Sequence, residues 1–340
     1  MNSTNSIQLG VLLSGAHSSP VEIAGWAQLA EQRGFESVWV NESVFDVIVP
    51  LTLVAQATSR VRLGTACAIV GRHPHVTQLA IAGLERVSDG RLSPAFSDGP
   101  SGPNRTWFGP RPSSPLKRMR EYIEVLRLML SAYDGEAVSY DGEYYKVENY
   151  RRLTKPVRDK VPLLIGATGP RMIELAGRVG DGFVAPALNC RKFFDEIALP
   201  QARAGLEAVG RPETEFELAT VRICSVDGDA DRARARARRQ IAFYVGIAPS
   251  LADMLNLLGF ERERRQVEAL FSSGDLESAA ALIPEAAIDE LTLAGTPQHC
   301  REQLPRFASG LKTVILYPPS AGLTKTESDE AHAALIDAFG

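Results

Sequence analysis

Short β-rich runs at residues 7–13, 37–40, 61–67, 91–96, 162–165, 182–185, 217–224 and 312–317 alternate with longer segments of helical period. Strands that alternate with helices pair in parallel, because each crossover returns the chain to the same end of the sheet, and both faces of such a sheet are then covered. Eight strands is the closing number of an α/β (β/α)8 TIM barrel, whose functional sites gather on loops at the strand C-terminal ends. Between the first two runs, Ile23, Trp26, Ala27 and Ala30 fall at helical spacing over 21–32, and Gly34 ends that helix. Pro74 opens a second helix at a position where a missing N–H costs nothing, and 114–130 repeats the pattern.

Net charge excludes one class of partner. At −4 over 340 residues the chain has no field that would gather nucleic acid or an anionic membrane. Cys67, Cys190, Cys224 and Cys300 stand far apart without metal-ligand spacing, so no metal site and a reducing, cytoplasmic setting are expected. The N-terminal MNSTNS lacks Lys and Arg, and the apolar run after it is too short for a signal peptide or membrane span.

Two stretches exceed what a barrel needs. The proline-rich segment 97–113 follows the fourth strand, where a long loop covers a site, and its Trp107 and Phe108 either cap a substrate or pin the loop. Residues 227–290 are helical and strongly charged, opening on an arginine run that reads as a solvated helix face. They form a helical insertion between strands seven and eight, within one domain spanning 1–340.

The corner between strand five and the next helix carries the chemistry. Gly166, Ala167, Thr168 and Gly169 precede Pro170 and Arg171, which start a helix with Met172, Ile173, Ala176 and Val179 on its inner face. Glycines allow close backbone approach, and the free amides of a helix start favour an anion such as phosphate; alternatively the two glycines only make a tight turn. Neither GxGxxG nor a Gly-Lys-Ser/Thr P-loop is present.

The stretch IGATGPRMIELAGRVGDGFV resembles the luciferase-like monooxygenase superfamily, above all its deazaflavin-dependent branch that includes methylenetetrahydromethanopterin reductase. So, in the same order, do GFESVWVNES from residue 34, ATSRVRLGTACAIVGRHP at 57–74, LERVSDGR at 84–91, YDGEYY at 140–145 and LAGTPQHCREQL at 293–304. The resemblance covers nearly the whole chain. It implies a barrel that binds a reduced flavin or deazaflavin at its mouth, usually as a homodimer, with 166–171 on the cofactor phosphate. Glu42 matches an acidic residue that touches ring and substrate, and is the candidate for proton handling; Ser43 stands where the branch has histidine. Ala66 and Cys67 match a bulge with a non-proline cis peptide, Cys67 being read as a small wall residue. Gly99 survives from a glycine-rich end of strand four, whereas Pro94, Ala95, Phe96, Ser97 and Pro100 replace the rest and are expected to narrow the pocket, with Ser97 or Asp98 replacing a polar contact. Arg72, His73 and Pro74 match a common element in which His73 steadies the helix entry; His17 lies in the loop after strand one. The implied activity is hydride exchange between coenzyme F-420, a deazaflavin, and a small organic substrate. The alternatives are an FMN-dependent monooxygenase and a non-redox binding protein on a degenerate barrel.

Overall fold

In the computed structural model, which describes residues 7–99 and 113–340, the apolar runs become strands. They are β1 (Gln8–Leu13), β2 (Ser37–Val40), β3 (Arg62–Thr65), β4 (Ala68–Ile69), β5 (Leu92–Ser93), β6 (Ala95–Ser97), β7 (Val138–Asp141), β8 (Lys146–Tyr150), β9 (Leu164–Gly166), β10 (Gly182–Ala185), β11 (Glu217–Val226), β12 (Thr292–Gly295) and β13 (Thr313–Tyr317). The main sheet runs β5-β3-β2-β1-β13-β11-β10-β9-β6-β4, with β12 on β11, and every pairing in it is parallel.

The third and fourth apolar runs are each broken in two, which curls the sheet strongly. The third breaks at Ala66–Cys67, whose peptide bond is cis as the resemblance implied. The fourth breaks at Pro94, which has no N–H to give a ladder. First halves pair through Leu63 and Leu92, second halves through Ala68 and Phe96. Thr65 bridges the break: its Oγ1 donates to Ala95 O (2.5 Å) and accepts from Ala95 N–H (2.8 Å).

Inside the curl sits the fully buried Trp39. A Cβ on Gly64 would run into its indole, and one on Gly10 would meet Ser37 and the same ring, so two glycines make room for one large side chain. Beneath it, Arg62 lies 5.5 Å from the Trp39 ring centroid, 2.6 Å from Glu217 Oε2 and 3.0 Å from Thr313 Oγ1. These residues close the end of the sheet where the strands begin.

Several sequence landmarks prove to be braces. Glu31 accepts from the N–H groups of Ser59, Arg60 and Val61 at 2.6–3.0 Å, tying the turn before β3. Arg91 donates to Ala55 O, Thr58 O and Val61 O at 2.8–2.9 Å, which anchors the end of LERVSDGR. YDGEYY forms the turn of an antiparallel β7–β8 hairpin that periodicity did not predict. The buried Glu121 accepts from Glu143, Tyr144 and Tyr145 N–H at 2.8–3.3 Å, and a Cβ on Gly142 would strike that carboxylate.

Helices Ala230–Ile247, Pro249–Leu257, Glu261–Ser272, Leu276–Ala281 and Glu285–Leu291, then β12, lie between β11 and β13. The arginine run is not a free solvated face, which corrects the sequence reading. Arg234 bridges Glu285 and Asp289, Arg238 reaches Glu285, Arg239 pairs with Glu277 at 2.6 Å, and the buried Arg236 pairs with Asp227 at 3.1 Å. Alternation of Ala and Arg hides these partners, because Glu285 and Asp289 come from a helix about fifty residues later and the others lie outside the run as well. Among the described residues no helix is long and apolar enough to cross a membrane.

Burial alone would raise the Glu217 carboxyl, but the Arg62 hydrogen bond and charge, with Thr313, outweigh it and hold the group below its ordinary 4.5. A depressed folded-state value stabilises the fold above the ordinary value and loses that contribution as pH falls through it. In Glu217→Gln, urea unfolding should lose stability less steeply than the parent between about pH 5 and pH 3. Equal slopes would refute the assignment.

Candidate active site at the strand C-terminal ends

At the corner, β9 ends on Gly166, and Ala167 N–H reaches Val184 O at 3.4 Å. Gly169 is the N-cap of the Pro170–Val179 helix and supplies no side-chain cap, whereas Ser19, Ser114 and Thr324 cap their helices. Pro170 has no N–H and Met172 N–H donates to Gly169 O at 3.1 Å, so of the first-turn amides it is that of Arg171 that has no acceptor inside the helix. A Cβ on Gly169 would meet nothing within 4 Å, so space lies open in front of this helix start. Gly166 serves another purpose: a Cβ there would collide with Cys67 Sγ. One glycine leaves the corner open and the other admits the bulge.

The bulge is held from behind by Glu42. Its Oε2 accepts from Ile69 N–H at 2.6 Å, and its carboxylate pairs with Arg72, which also reaches Asp46 at 2.8 Å. Burial would lower the Arg72 guanidinium, yet hydrogen bonds and charge from Glu42 and Asp46 raise it above its ordinary value. Cys67 behaves as a wall residue, since burial pushes its thiol up to about 12. His73 Nδ1 accepts from His75 N–H at 3.2 Å at the entry to the Pro74–Ser88 helix, and His17 Nε2 lies 2.9 Å from Ser320 O.

Corner and bulge both line a cavity of about 480 Å³. Ala66, Cys67, Gly99, Gly166, Ala167, Thr168 and Gly169 of the expected cofactor residues line it; Glu42 does not, and Pro170 and Arg171 are exposed beside the corner. Leu12 and Asn41 add to the wall, and the buried Asn41 Oδ1 has no hydrogen-bond partner there. Buried polar atoms are normally satisfied, so this one marks a place for a ligand donor. Among the described residues of the substituted strand four, Pro94, Ala95 and Phe96 are buried and do not line the cavity, Phe96 lying against Tyr122, whereas Ser97, Asp98 and Gly99 do. Asp98 is neutralised by Arg118. Trp107, Phe108 and Pro100 lie outside the described residues.

Sequence reasoning missed the far wall. Tyr244, Ala248 and Leu251 come from the helices between β11 and β13. Burial raises the Tyr244 phenol well above its ordinary value, and Tyr317, 6.4 Å away between ring centroids, is raised likewise, so both are neutral. Tyr244 follows Phe243 in an arginine-rich helix, and its sequence neighbours carry no signal that it reaches the cup. The result is a mostly apolar cup with backbone donors at one rim and no activated nucleophile. Its size lies in the range of small-molecule sites, and its open helix start and glycine-lined approach fit a phosphate-bearing cofactor. No group of three or more His, Cys, Asp or Glu among the described residues could hold a metal ion.

Comparison with known proteins points the same way. The family model for luciferase-like monooxygenases matches residues 6–312. A 5,10-methylenetetrahydromethanopterin reductase of Archaeoglobus fulgidus is 30% identical over 319 residues, covering 90% of this chain and 92% of its own. The coenzyme F-420-dependent tetrahydromethanopterin reductase structure from Methanopyrus kandleri superposes with a TM-score of 0.84 at 25% identity, over 98% of this chain and 99% of that one. An F-420-dependent secondary alcohol dehydrogenase, in complex with an F-420-acetone adduct, shares the fold with a TM-score of 0.76 at 24% identity, covering 98% and 99% of the two chains.

The contact between Gly166 and Cys67 makes a double-mutant test. Gly166→Ala should cost about 1–3 kcal/mol by overpacking against Sγ. Gly166→Ala combined with Cys67→Ala should recover much of that loss in urea unfolding; additive losses would show that the two positions do not touch.

Proposed function

This chain belongs to the luciferase-like monooxygenase family, and we propose that it is an oxidoreductase in which coenzyme F-420 exchanges hydride with a small organic substrate inside the cavity. The observation that carries the reading is that the uncapped helix start at Gly169 and the cis-peptide bulge line one cup. The deazaflavin would supply the redox chemistry, so the protein's share is binding, orientation and exclusion of water.

In this reading Gly166, Ala167, Thr168, Gly169 and Pro170 set the backbone around the cofactor phosphate, and Arg171 in the first helical turn adds a cation beside it. Ala66 and Cys67 back the ring, and Gly99 lets it approach strand four. Glu42 has its carboxylate committed to Ile69 N–H and Arg72; we assign it the placing of the bulge, so that it acts through the backbone it holds. The chain is one eight-stranded barrel domain over 1–340, and the helices between β11 and β13 are an insertion that walls the mouth with Tyr244 and Leu251.

A homodimer fits the surface as well. Val76, Leu79 and Val87 form an exposed stripe at helical spacing on the Pro74–Ser88 helix, beside exposed Val49 on the Ile48–Ala57 helix, the kind of apolar patch that marks an interface. Sedimentation should give a dimer for the parent chain and a folded monomer for Leu79→Asp; a parent that sediments as a monomer would end this part of the proposal.

The cofactor test is direct. Purified protein should quench F-420 fluorescence, and Gly169→Asp, which places a carboxylate where the phosphate belongs, should weaken binding about tenfold or more. Tight binding of FMN alone would make the flavin-dependent monooxygenase the better reading. A folded protein that binds neither at millimolar concentration would favour a binding role without redox chemistry.

A further inference from the structure

A second cavity, of about 720 Å³, opens at the other ends of β9 and β10. Val161 and Leu163 lie just before β9, Val179 and Asp181 just before β10, so the two cavities are separated by the length of the same strands. Its floor is apolar: Ile123 and Leu130 of the Pro115–Ser131 helix join Val161 and Leu163, all buried. Its walls carry the cations Arg127, Arg152, Arg158, Lys160, Arg178 and Arg211.

Four of these are already compensated. Asp181 takes Arg127 at 2.8 Å and Lys160 at 2.7 Å, Glu85 takes Arg158 at 2.8 Å, and Glu174 takes Arg178 at 2.6 Å. Arg152 and Arg211 have no carboxylate partner among the described residues. Arg152 is 7% exposed; its Nη1 donates to Leu130 O at 2.7 Å and its Nε has no partner. Arg211 donates from Nη2 to Gly177 O at 2.8 Å, lies 5.3 Å from the Phe216 ring centroid, and also has an unpartnered Nε. A carbonyl oxygen satisfies an N–H but is no ion-pair partner, and burial lowers both guanidiniums from their ordinary value although Glu85 acts on Arg152, and Asp181 and Glu215 on Arg211, in the opposite direction.

We infer that this cavity is a binding site for an organic oxyanion, a carboxylate or phosphate on an apolar body, with Arg152 and Arg211 neutralised by the oxyanion and the body resting on Ile123, Leu130, Val161 and Leu163. Planar guanidinium forks match such oxyanions in geometry as well as charge. The carboxylates on the lining leave room for this charge. Asp181 is spent on Arg127 and Lys160, Glu124 accepts from Tyr140 Oη at 2.7 Å, and Asp159 stands at the exposed rim. The site is independent of the cofactor assignment, since none of its residues lines the first cavity.

Calorimetric titration of the full chain with phenyl phosphate, octanoate and inorganic phosphate tests it. At least one of the two organic anions should bind with a Kd below about 1 mM, more tightly than inorganic phosphate. Arg211→Gln should weaken that binding about tenfold or more, whereas Gly169→Asp, at the opposite ends of the strands, should leave it intact. Arg152→Gln should match Arg211→Gln where it folds; Arg211 is partly exposed, so its variant serves as the measurement that does not depend on the buried position. Absence of binding by both organic anions up to about 10 mM, retention in Arg211→Gln, or loss in Gly169→Asp would each overturn the assignment.

Discussion

The junction between the third and fourth apolar runs governs the rest of this structure. Both runs break before their C-terminal ends, one at Ala66–Cys67 and the other at Pro94, and their halves pair separately as β3 with β5 and β4 with β6. A break in two neighbouring strands would leave buried backbone groups unpaired, which is costly. Thr65 Oγ1 takes up the Ala95 N–H and C=O, and Glu42 takes up the Ile69 N–H. Those two side chains let the sheet turn tightly where the bulge must face the cup.

The same economy runs through the scaffold. Buried carboxylates and guanidiniums are used as multidentate braces for turns: Glu31 for the turn before β3, Glu121 for the β7–β8 turn, Arg91 for the segment around Thr58. Each collects several main-chain groups that no regular ladder reaches, so removing one would strand several partners at once. Much of what makes this chain resemble its family is therefore structural grammar. That suits a site in which a cofactor brings the chemistry and the protein brings a shaped, water-poor cup.

The two ends of β9 and β10 are used differently. At their C-terminal ends, glycines and helix amides present partial positive charge on open backbone; at their N-terminal ends, arginine side chains surround an apolar floor. The two cavities share no lining residue.

By itself the sequence determined the strand-helix alternation, the approximate place of the eight apolar runs and the Gly166 to Arg171 corner, because periodicity and glycine and proline spacing are local properties of a chain; the position of the cis peptide came from the family resemblance. It did not determine that the β7–β8 hairpin hangs on Glu121, that Glu42 is spent on Arg72 and the bulge, that Tyr244 crosses from a distant helix to wall the cup, or that Arg152 and Arg211 have no carboxylate partner among the described residues. Those facts depend on which side chains the fold brings together over tens to hundreds of residues. Charge pairing and cavity shape are properties of that three-dimensional neighbourhood, and only the tertiary structure decided them.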